Sequence, residues 1–372
     1  MFENIKFLLD KSAELGVPCT EISIFHEGKE VFYDVRGVKS LGGEAISPDE
    51  LFNIYSCSKP ITCAAALTLV EQGKISLNDD LADYIPAFGE VKVAKNGGIF
   101  KAENKIKLYN LFTMTAGLNY NIESEAVDEG KIATDGNCPT VKMMDYIAQI
   151  PLSYEPGERW LYSLGHDVIA AVVEIASGKR FGEYVKEKIF DPLGMTRSTF
   201  SLPESEVETL PEQYVYKDKL YSQGKHIVRY KLGSEYESGG AGCVTTTHDY
   251  IKFLEGMRNE KILSREMLDL MYKDHLTDTQ RLSYDTPAGY GYGLGVRVPD
   301  ASGRRTDIGW GGAAGGYLAL DEKHGISLYF SQHVMQTPNK NLRKDFIEAA
   351  KLDLGYDAFT EDMYHGVASH LF

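Results

Sequence analysis

The sequence predicts an α+β fold, an α/β sandwich in which helices from both termini flank one antiparallel sheet and a mainly helical lobe is inserted between the sheet's two halves. Three observations carry this reading. An amphipathic helix and two strand-like runs open the chain, the pattern from Ser56 to about Lys273 is mainly helical, and the last quarter returns to short strands before a final helix. Strands segregated from helices mark an α+β architecture. Sheet segments from both ends pair most simply in one sheet. The division expected is residues 1–58 with 245–372 as the sheet domain and 59–244 as the inserted lobe. A cleft between such units is where small ligands bind.

Each element follows from local pattern. Phe2, Ile5, Leu8 and Leu9 recur at helical spacing among charges, which makes an amphipathic helix and not the unbroken apolar core of a signal peptide. Cys19–His26, with Ile22 and Ile24, and Lys29–Val35, with Val31, Phe32 and Val35, read as a hairpin turning at Glu27-Gly28. Helices are expected at 57–72, 108–115, 140–149, 163–176, 181–189, 247–257 and 264–273, with long connections at 119–137 and 202–240. Strands are expected at 291–298, 305–308, 316–321 and 326–332, and a last amphipathic helix at 341–354.

Composition narrows the function. The chain has 372 residues, 43% hydrophobic and 25% charged, as an ordinary globular protein does. Its net charge of −15 opposes binding to a phosphate backbone or an anionic membrane surface. No run reaches the roughly 18 apolar residues of a membrane span. The five cysteines are odd in number and scattered without a Cys-x-x-Cys pair, which suits a reducing cytoplasm and opposes a disulfide framework or zinc site. His-Glu-x-x-His, Gly-x-Ser-x-Gly and P-loop motifs are absent. Gly309-x-Gly311-x-x-Ala314 lacks the helix and acidic residue of a dinucleotide site. His166, followed by Asp167 on an apolar segment, reads as a packing or capping histidine. No metal or organic cofactor is expected, and oligomeric state is unreadable.

Ser56-Cys57-Ser58-Lys59 carries the chemistry. It opens an apolar run, Ile61 to Val70, so Ser56 and Lys59 fall on one face of a helix at its first turn. That places a nucleophile and a basic partner beside exposed backbone N–H groups. Pro60 is tolerated in a first turn. The pattern alone arises about once by chance in such a chain. A second copy, Ser222-Gln223-Gly224-Lys225, lies in a polar loop or hairpin with no apolar helix after it. A bland alternative for Ser56 is a helix cap.

Two further segments follow in order: Glu155-Pro156-Gly157-Glu158-Arg159-Trp160-Leu161-Tyr162-Ser163-Leu164-Gly165-His166 and Trp310-Gly311-Gly312-Ala313-Ala314-Gly315-Gly316. With these three motifs the chain resembles the serine β-lactamase and penicillin-binding-protein superfamily, most closely its class C-like family VIII esterases. Leu111–Leu118, Asp191–Met195 and Glu237–Gly242 support the resemblance, which spans essentially the full length. It implies a β-lactamase/transpeptidase-like fold with Ser56 as acylated nucleophile. Lys59 and Tyr162 would relay protons, and the backbone N–H groups of Ser56 and Ala313 would form an oxyanion hole. Gly311 and Gly312 would let an edge strand approach the substrate closely. Either Tyr162 or the glycines could instead serve packing alone.

Two departures from the family pattern bear on substrate. Leu164 stands where lactamases commonly carry Asn, and Trp310 stands where they commonly carry Lys or His. Both move the expected substrate from carboxylate-bearing amides toward small, rather apolar carboxylic esters. Leu164, Tyr120, Tyr236, Tyr290, Trp310, Gly311 and Gly312 are candidates for the substrate cleft. Cys57 reads as small packing. The activity expected is that of a serine esterase; the alternatives are an acyltransferase, a β-lactamase or D,D-peptidase-like amidase, and a non-catalytic ligand sensor. The partner expected is a small-molecule ester.

Overall fold

The computed structural model describes residues 2–226, 232–361 and 363. Seven strands form the central sheet: β1 (Cys19–His26), β2 (Lys29–Gly37), β3 (Tyr290–Tyr292), β4 (Arg297–Pro299), β5 (Ile308–Gly311), β6 (Tyr317–Asp321) and β7 (Ile326–Ser331). Their order is β2-β1-β7-β6-β5-β4-β3. All neighbouring strands among them pair antiparallel, and the two ends of the chain meet where Ile22 faces Phe330 and Ile24 faces Leu328.

Period-2 alternation explains how the sheet is covered. Ala319, Leu328 and Phe330 point to one face and are buried by two terminal helices, α1 (Glu3–Glu14) and α5 (Asp345–Asp353). Phe330 stacks on Phe346 with ring centroids 4.5 Å apart. Each such buried aromatic contributes about 1.5–3 kcal/mol by leaving water. The Asp353 carboxylate accepts from the backbone N–H groups of Asn4 and Ile5, which ties the start of α1 to the end of α5. Leu318, Leu320 and Tyr329 point to the opposite face, into the core shared with the helical lobe. With both faces covered, every residue of β6 and β7 is buried.

The lobe is centred on α2 (Ser58–Glu71), whose residues from Ser58 to Leu69 are all buried. A helix surrounded on all sides cannot be amphipathic, which accounts for its small and apolar Cys63-Ala64-Ala65-Ala66 stretch. It packs against α3 (Gly165–Ser177). A short ladder, Phe52–Asn53 with Val244–Thr245, brings together the chain entering and leaving the lobe. From there α4 (Thr247–Arg258) returns to the sheet.

Four expectations need correction. The strand expected at 291–298 is two strands, because the chain turns at Gly293-Leu294-Gly295, with Gly295 at φ +79°. The strand expected at 305–308 is β5, shifted to include Trp310 and Gly311. Residues 119–137 contain a helix, Glu125–Ala133, capped by Ser124 accepting from the Val127 N–H at 3.3 Å. Residues 202–240 contain a hairpin, Gln213–Tyr216 with Leu220–Gly224. The second Ser-x-x-Lys lies at its outer edge, where Ser222 bonds Glu212 and Lys225 bonds the Glu208 carbonyl.

Candidate active site

The chain turns sharply just before Ser56. Tyr55 is fully buried in the left-handed region at φ +49°, a costly conformation for a large residue, and its hydroxyl donates to Gln213 Oε1 at 2.5 Å. Ser56 then sits in a 3₁₀ turn, Tyr55–Cys57, that runs directly into α2. The turn is pinned from below. Tyr250 donates to the Cys57 carbonyl at 2.6 Å, and the Cys243 N–H donates to Ser58 Oγ at 3.1 Å.

One helical turn on, Lys59 is completely buried. Its ammonium donates to Ser56 Oγ at 3.2 Å, the Tyr120 hydroxyl at 3.0 Å and the Gly240 carbonyl at 2.8 Å. Three acceptors match the three donors of the group. Behind them lies buried Asp167. A Cβ on Gly240 would stand 2.5 Å from Asp167 Oδ2 and 3.4 Å from Lys59 Nζ, so glycine is required where carboxylate and ammonium approach. Burial raises the Asp167 pKa, opposed by a Ser238 hydrogen bond and the charge of Lys59. The Tyr236 hydroxyl donates to Asp167 Oδ1 at 3.0 Å.

Tyr162 arrives from the segment preceding α3. Its hydroxyl donates to Ser56 Oγ at 2.5 Å, and Lys59 Nζ stands 4.5 Å from the centre of its ring. Trp310 Nε1 lies 3.5 Å from the same hydroxyl. Tyr120, Trp160 and Trp310 pack around Tyr162, with centroids 5.4, 6.1 and 5.8 Å away. The serine oxygen thus has two proton-carrying neighbours held by an aromatic cage.

The third segment leaves β5 at Gly311 and turns tightly, with Gly312 N–H donating to the Gly316 carbonyl at 2.7 Å and Gly315 N–H to the Gly312 carbonyl at 3.0 Å. A Cβ on Gly312 would lie 2.4 Å from the Ile54 carbonyl, so glycine lets this turn press against the backbone just before the nucleophile candidate. The Ala313 N–H has no acceptor among the described residues. β5 is an interior strand, not the edge expected, but β4 pairs with it only at Gly309, so Trp310 and Gly311 are uncovered on that side.

These groups open on a cleft of about 420 Å³ lined by Ser56, Trp160, Tyr162, Tyr284, Trp310 and Ala313, among others. Of the substrate-site candidates, Trp310, Gly311 and Gly312 line it. Tyr120 sits deeper, on Lys59. The other three do not line it: Leu164 is core at the start of α3, Tyr236 is buried against Asp167, and Tyr290 is buried with its hydroxyl donating to Asp307 at 2.6 Å. Burial pushes the Cys57 thiol up to about 12, which removes it as a nucleophile near neutral pH. His166 is buried with no hydrogen-bond partner for either nitrogen among the described residues. Glu21, Asp49 and His248 are spaced as metal ligands could be, yet His248 already bonds Asp49 at 2.9 Å and Glu30 at 3.0 Å, and none of the three lines the cleft.

The family model described as Beta-lactamase matches residues 6–351. The chain belongs to that family. It is 28% identical to Esterase EstB of Burkholderia gladioli over 328 residues, covering 77% of this chain and 78% of the relative. It is 26% identical to the lovastatin esterase of Penicillium rubens over 318 residues, covering 80% and 78%. The solved structure titled "EstCE1, a hydrolase with promiscuous acyltransferase activity" superimposes with a TM-score of 0.74 at 23% identity, covering 90% of this chain and 93% of that one. The chain has the β-lactamase/transpeptidase fold and is a serine hydrolase of the family that also holds acyltransferases. Among the described residues no helix is long and apolar enough to cross a membrane.

Proposed function

We propose that the protein cleaves a small carboxylic ester, apolar where it meets Trp160, Tyr284 and Trp310, through an acyl-enzyme on Ser56. The observation that carries this is the position of Ser56 Oγ, 2.5 Å from the Tyr162 hydroxyl and 3.2 Å from Lys59 Nζ at the floor of an open cleft. In the reactive state Tyr162 is the phenolate beside the Lys59 ammonium, and Ser56 Oγ bonds to the ester carbonyl carbon as its proton passes to the Tyr162 oxygen. The carbonyl oxygen becomes an oxyanion facing the N–H groups of Ser56 and Ala313. The carbon–oxygen bond to the alcohol breaks, and the alcohol leaves with the proton returned through Tyr162. Water then attacks the acyl-enzyme by the same route in reverse. Lys59 stabilises the negative charge that develops on these oxygens during each transfer.

Acyl transfer to an alcohol is the second reading, since an alcohol attacks the same intermediate. Relatives include one named Monacolin J acid methylbutanoyltransferase from Aspergillus terreus, 23% identical over 309 residues. Five free, buried cysteines support a reducing, cytoplasmic setting. The test is turnover of p-nitrophenyl butyrate by wild type and Ser56→Ala, with and without an added alcohol. Wild-type release of p-nitrophenol that the variant lacks supports the ester reading, and a butyryl ester of the added alcohol identifies transfer. Equal rates in both proteins would contradict it.

A further inference from the structure

A second group of ligating side chains stands away from the cleft, where the chain enters and leaves the helical lobe. Glu21 lies on β1, Glu30 on β2, Asp49 shortly before the Phe52–Asn53 strand, and His248 in the first turn of α4. One ligand atom from each of Glu21, Asp49 and His248 lies within 4.8 Å of the others. His248 reaches Asp49 Oδ1 through Nδ1 at 2.9 Å and Glu30 Oε1 through Nε2 at 3.0 Å. Its ring packs on Tyr33 with centroids 4.6 Å apart. Among the described residues no lysine or arginine forms an ion pair with any of these three carboxylates. Arg197 donates to the Asp49 carbonyl at 2.6 Å and not to its side chain.

Strand alternation puts Glu21 there. Ile22 and Ile24 face the terminal helices, so Glu21 faces the side that α4 covers, and it is completely buried. Its Oε1 accepts from the Tyr33 hydroxyl at 2.5 Å and the Asp49 N–H at 2.8 Å. Its Oε2 is buried without a hydrogen-bond partner among the described residues. The Thr247 hydroxyl also bears on this carboxylate but is shared with Ser331 at 3.0 Å. A buried carboxylate oxygen without a partner is costly and points to a missing one. Hydrogen bonds within the group do not balance it. Ionised carboxylates only accept, so His248 must carry both ring protons to serve Asp49 and Glu30, and one positive charge then faces three negative ones. A divalent cation supplies more charge and a partner for Glu21. Tetrahedral ligands about 2.1 Å from an ion stand about 3.4 Å apart, so the group has to close by about an ångström. Asp49 and His248 are half-buried, which leaves both room for that shift and a way in from solvent.

We propose that Glu21, Asp49 and His248 bind a divalent transition-metal ion through two carboxylates and one imidazole nitrogen. The ion takes the place of the Nδ1 proton of His248, which passes to solvent. Glu30 keeps the Nε2 proton and so orients the ring, as an outer carboxylate does for a metal-bound histidine. A mixed nitrogen and oxygen set favours zinc over magnesium or calcium, which take oxygen alone. The ion ties β1 to the segments entering and leaving the lobe, so its role is to hold sheet and lobe together, apart from the chemistry at Ser56. The set contains no cysteine and joins distant parts of the chain, so the motif search that predicts no metal could not meet it.

The experiment strips the full-length protein with EDTA, removes the chelator and titrates it with ZnCl₂ by calorimetry, with MgCl₂ in parallel. One zinc ion should bind per chain, and magnesium should bind far more weakly. Zinc at about a hundredfold excess over its Kd should raise the melting temperature by about 3–6 °C. Glu21→Gln and His248→Gln should each weaken zinc binding by about a hundredfold or more and abolish that rise, while melting without metal close to stripped wild type. Cobalt provides a readout that needs no variant. Co²⁺ bound to wild type should show visible d–d bands and no near-ultraviolet thiolate band, because no cysteine belongs to the set. Absence of zinc binding to folded wild type overturns the proposal. So does zinc binding that both variants retain, or a thiolate band with cobalt, either of which puts the metal elsewhere.

Discussion

The Tyr162 hydroxyl donates to Ser56 Oγ at 2.5 Å, although the two residues stand 106 positions apart in the chain. Tyr162 precedes α3 and Ser56 precedes α2, and these two helices pack directly on each other. The contact that proton transfer requires is therefore set by helix packing. Lys59, rooted in the first turn of α2, completes the group without any loop having to close.

Tyr162→Phe isolates the hydroxyl. The ring keeps its aromatic neighbours, so the melting temperature should stay within a few degrees of wild type. The hydrogen bond to Ser56 disappears, and kcat for a p-nitrophenyl ester should fall by about 10²–10⁴, the usual contribution of a positioned acid–base group. Steady-state kinetics alongside thermal unfolding checks both halves of the expectation.

Gly312→Ala tests the close approach beneath the third segment. The added methyl would meet the Ile54 carbonyl at 2.4 Å, and neither backbone can move without displacing Ser56 or Ala313. Overpacking of this kind costs about 1–3 kcal/mol. Activity should fall at least about tenfold through the displaced N–H donor. Gly311→Ala, where a Cβ meets nothing closer than 3.5 Å, should be far milder.

Tyr236→Phe separates a support role from a substrate role. The hydroxyl donates to Asp167 inside the protein and does not reach the cleft. Its loss removes one donor from a buried carboxylate and should cost about 1–3 kcal/mol of stability. KM should be unchanged, and a raised KM with unchanged stability would return Tyr236 to the substrate site.

Acid should destabilise the fold through buried neutral histidines. His333 Nδ1 donates to the Pro211 carbonyl at 2.9 Å, and burial lowers its pKa to about 4. Burial and the nearby charge of Lys59 push His166 well below its ordinary value. A base whose folded pKa is depressed adds stability that is complete above the unfolded value of about 6.5 and is lost as pH falls below it. For His333 the loss runs from about pH 6.5 to about 4 and totals about 3 kcal/mol. Urea unfolding from pH 8 to pH 4.5 should show this slope, and His333→Gln should flatten it.

How far the sequence could be read depends on which signals are local. The terminal helices and β1, β2, β6 and β7 were legible because one-sided or two-sided burial stamps a period on the residues. The break at Gly293-Leu294-Gly295 was not, because apolar residues continue on both sides of the turn and hide it. Helix Glu125–Ala133 escaped because it buries only Val127 and Gly130 and shows too little pattern. At the site, Ser56, Lys59, Tyr162 and Ala313 were legible through three ordered motifs. Tyr120 and Tyr236 could not be assigned roles among 23 tyrosines, since only tertiary packing says which hydroxyl meets Lys59 and which meets Asp167. Trp160 and Tyr284 as cleft wall and Asp167 behind Lys59 were missed. The acidic residue next to His166 was the one visible hint for Asp167.

The central claim is that Ser56 carries the acyl group. Intact mass after brief exposure to p-nitrophenyl butyrate and an acid quench, on wild type and Ser56→Ala in parallel, tests it most directly. A single butyryl adduct on wild type and none on the variant is the predicted result. Equal labelling of the two proteins would place the nucleophile elsewhere and contradict the account.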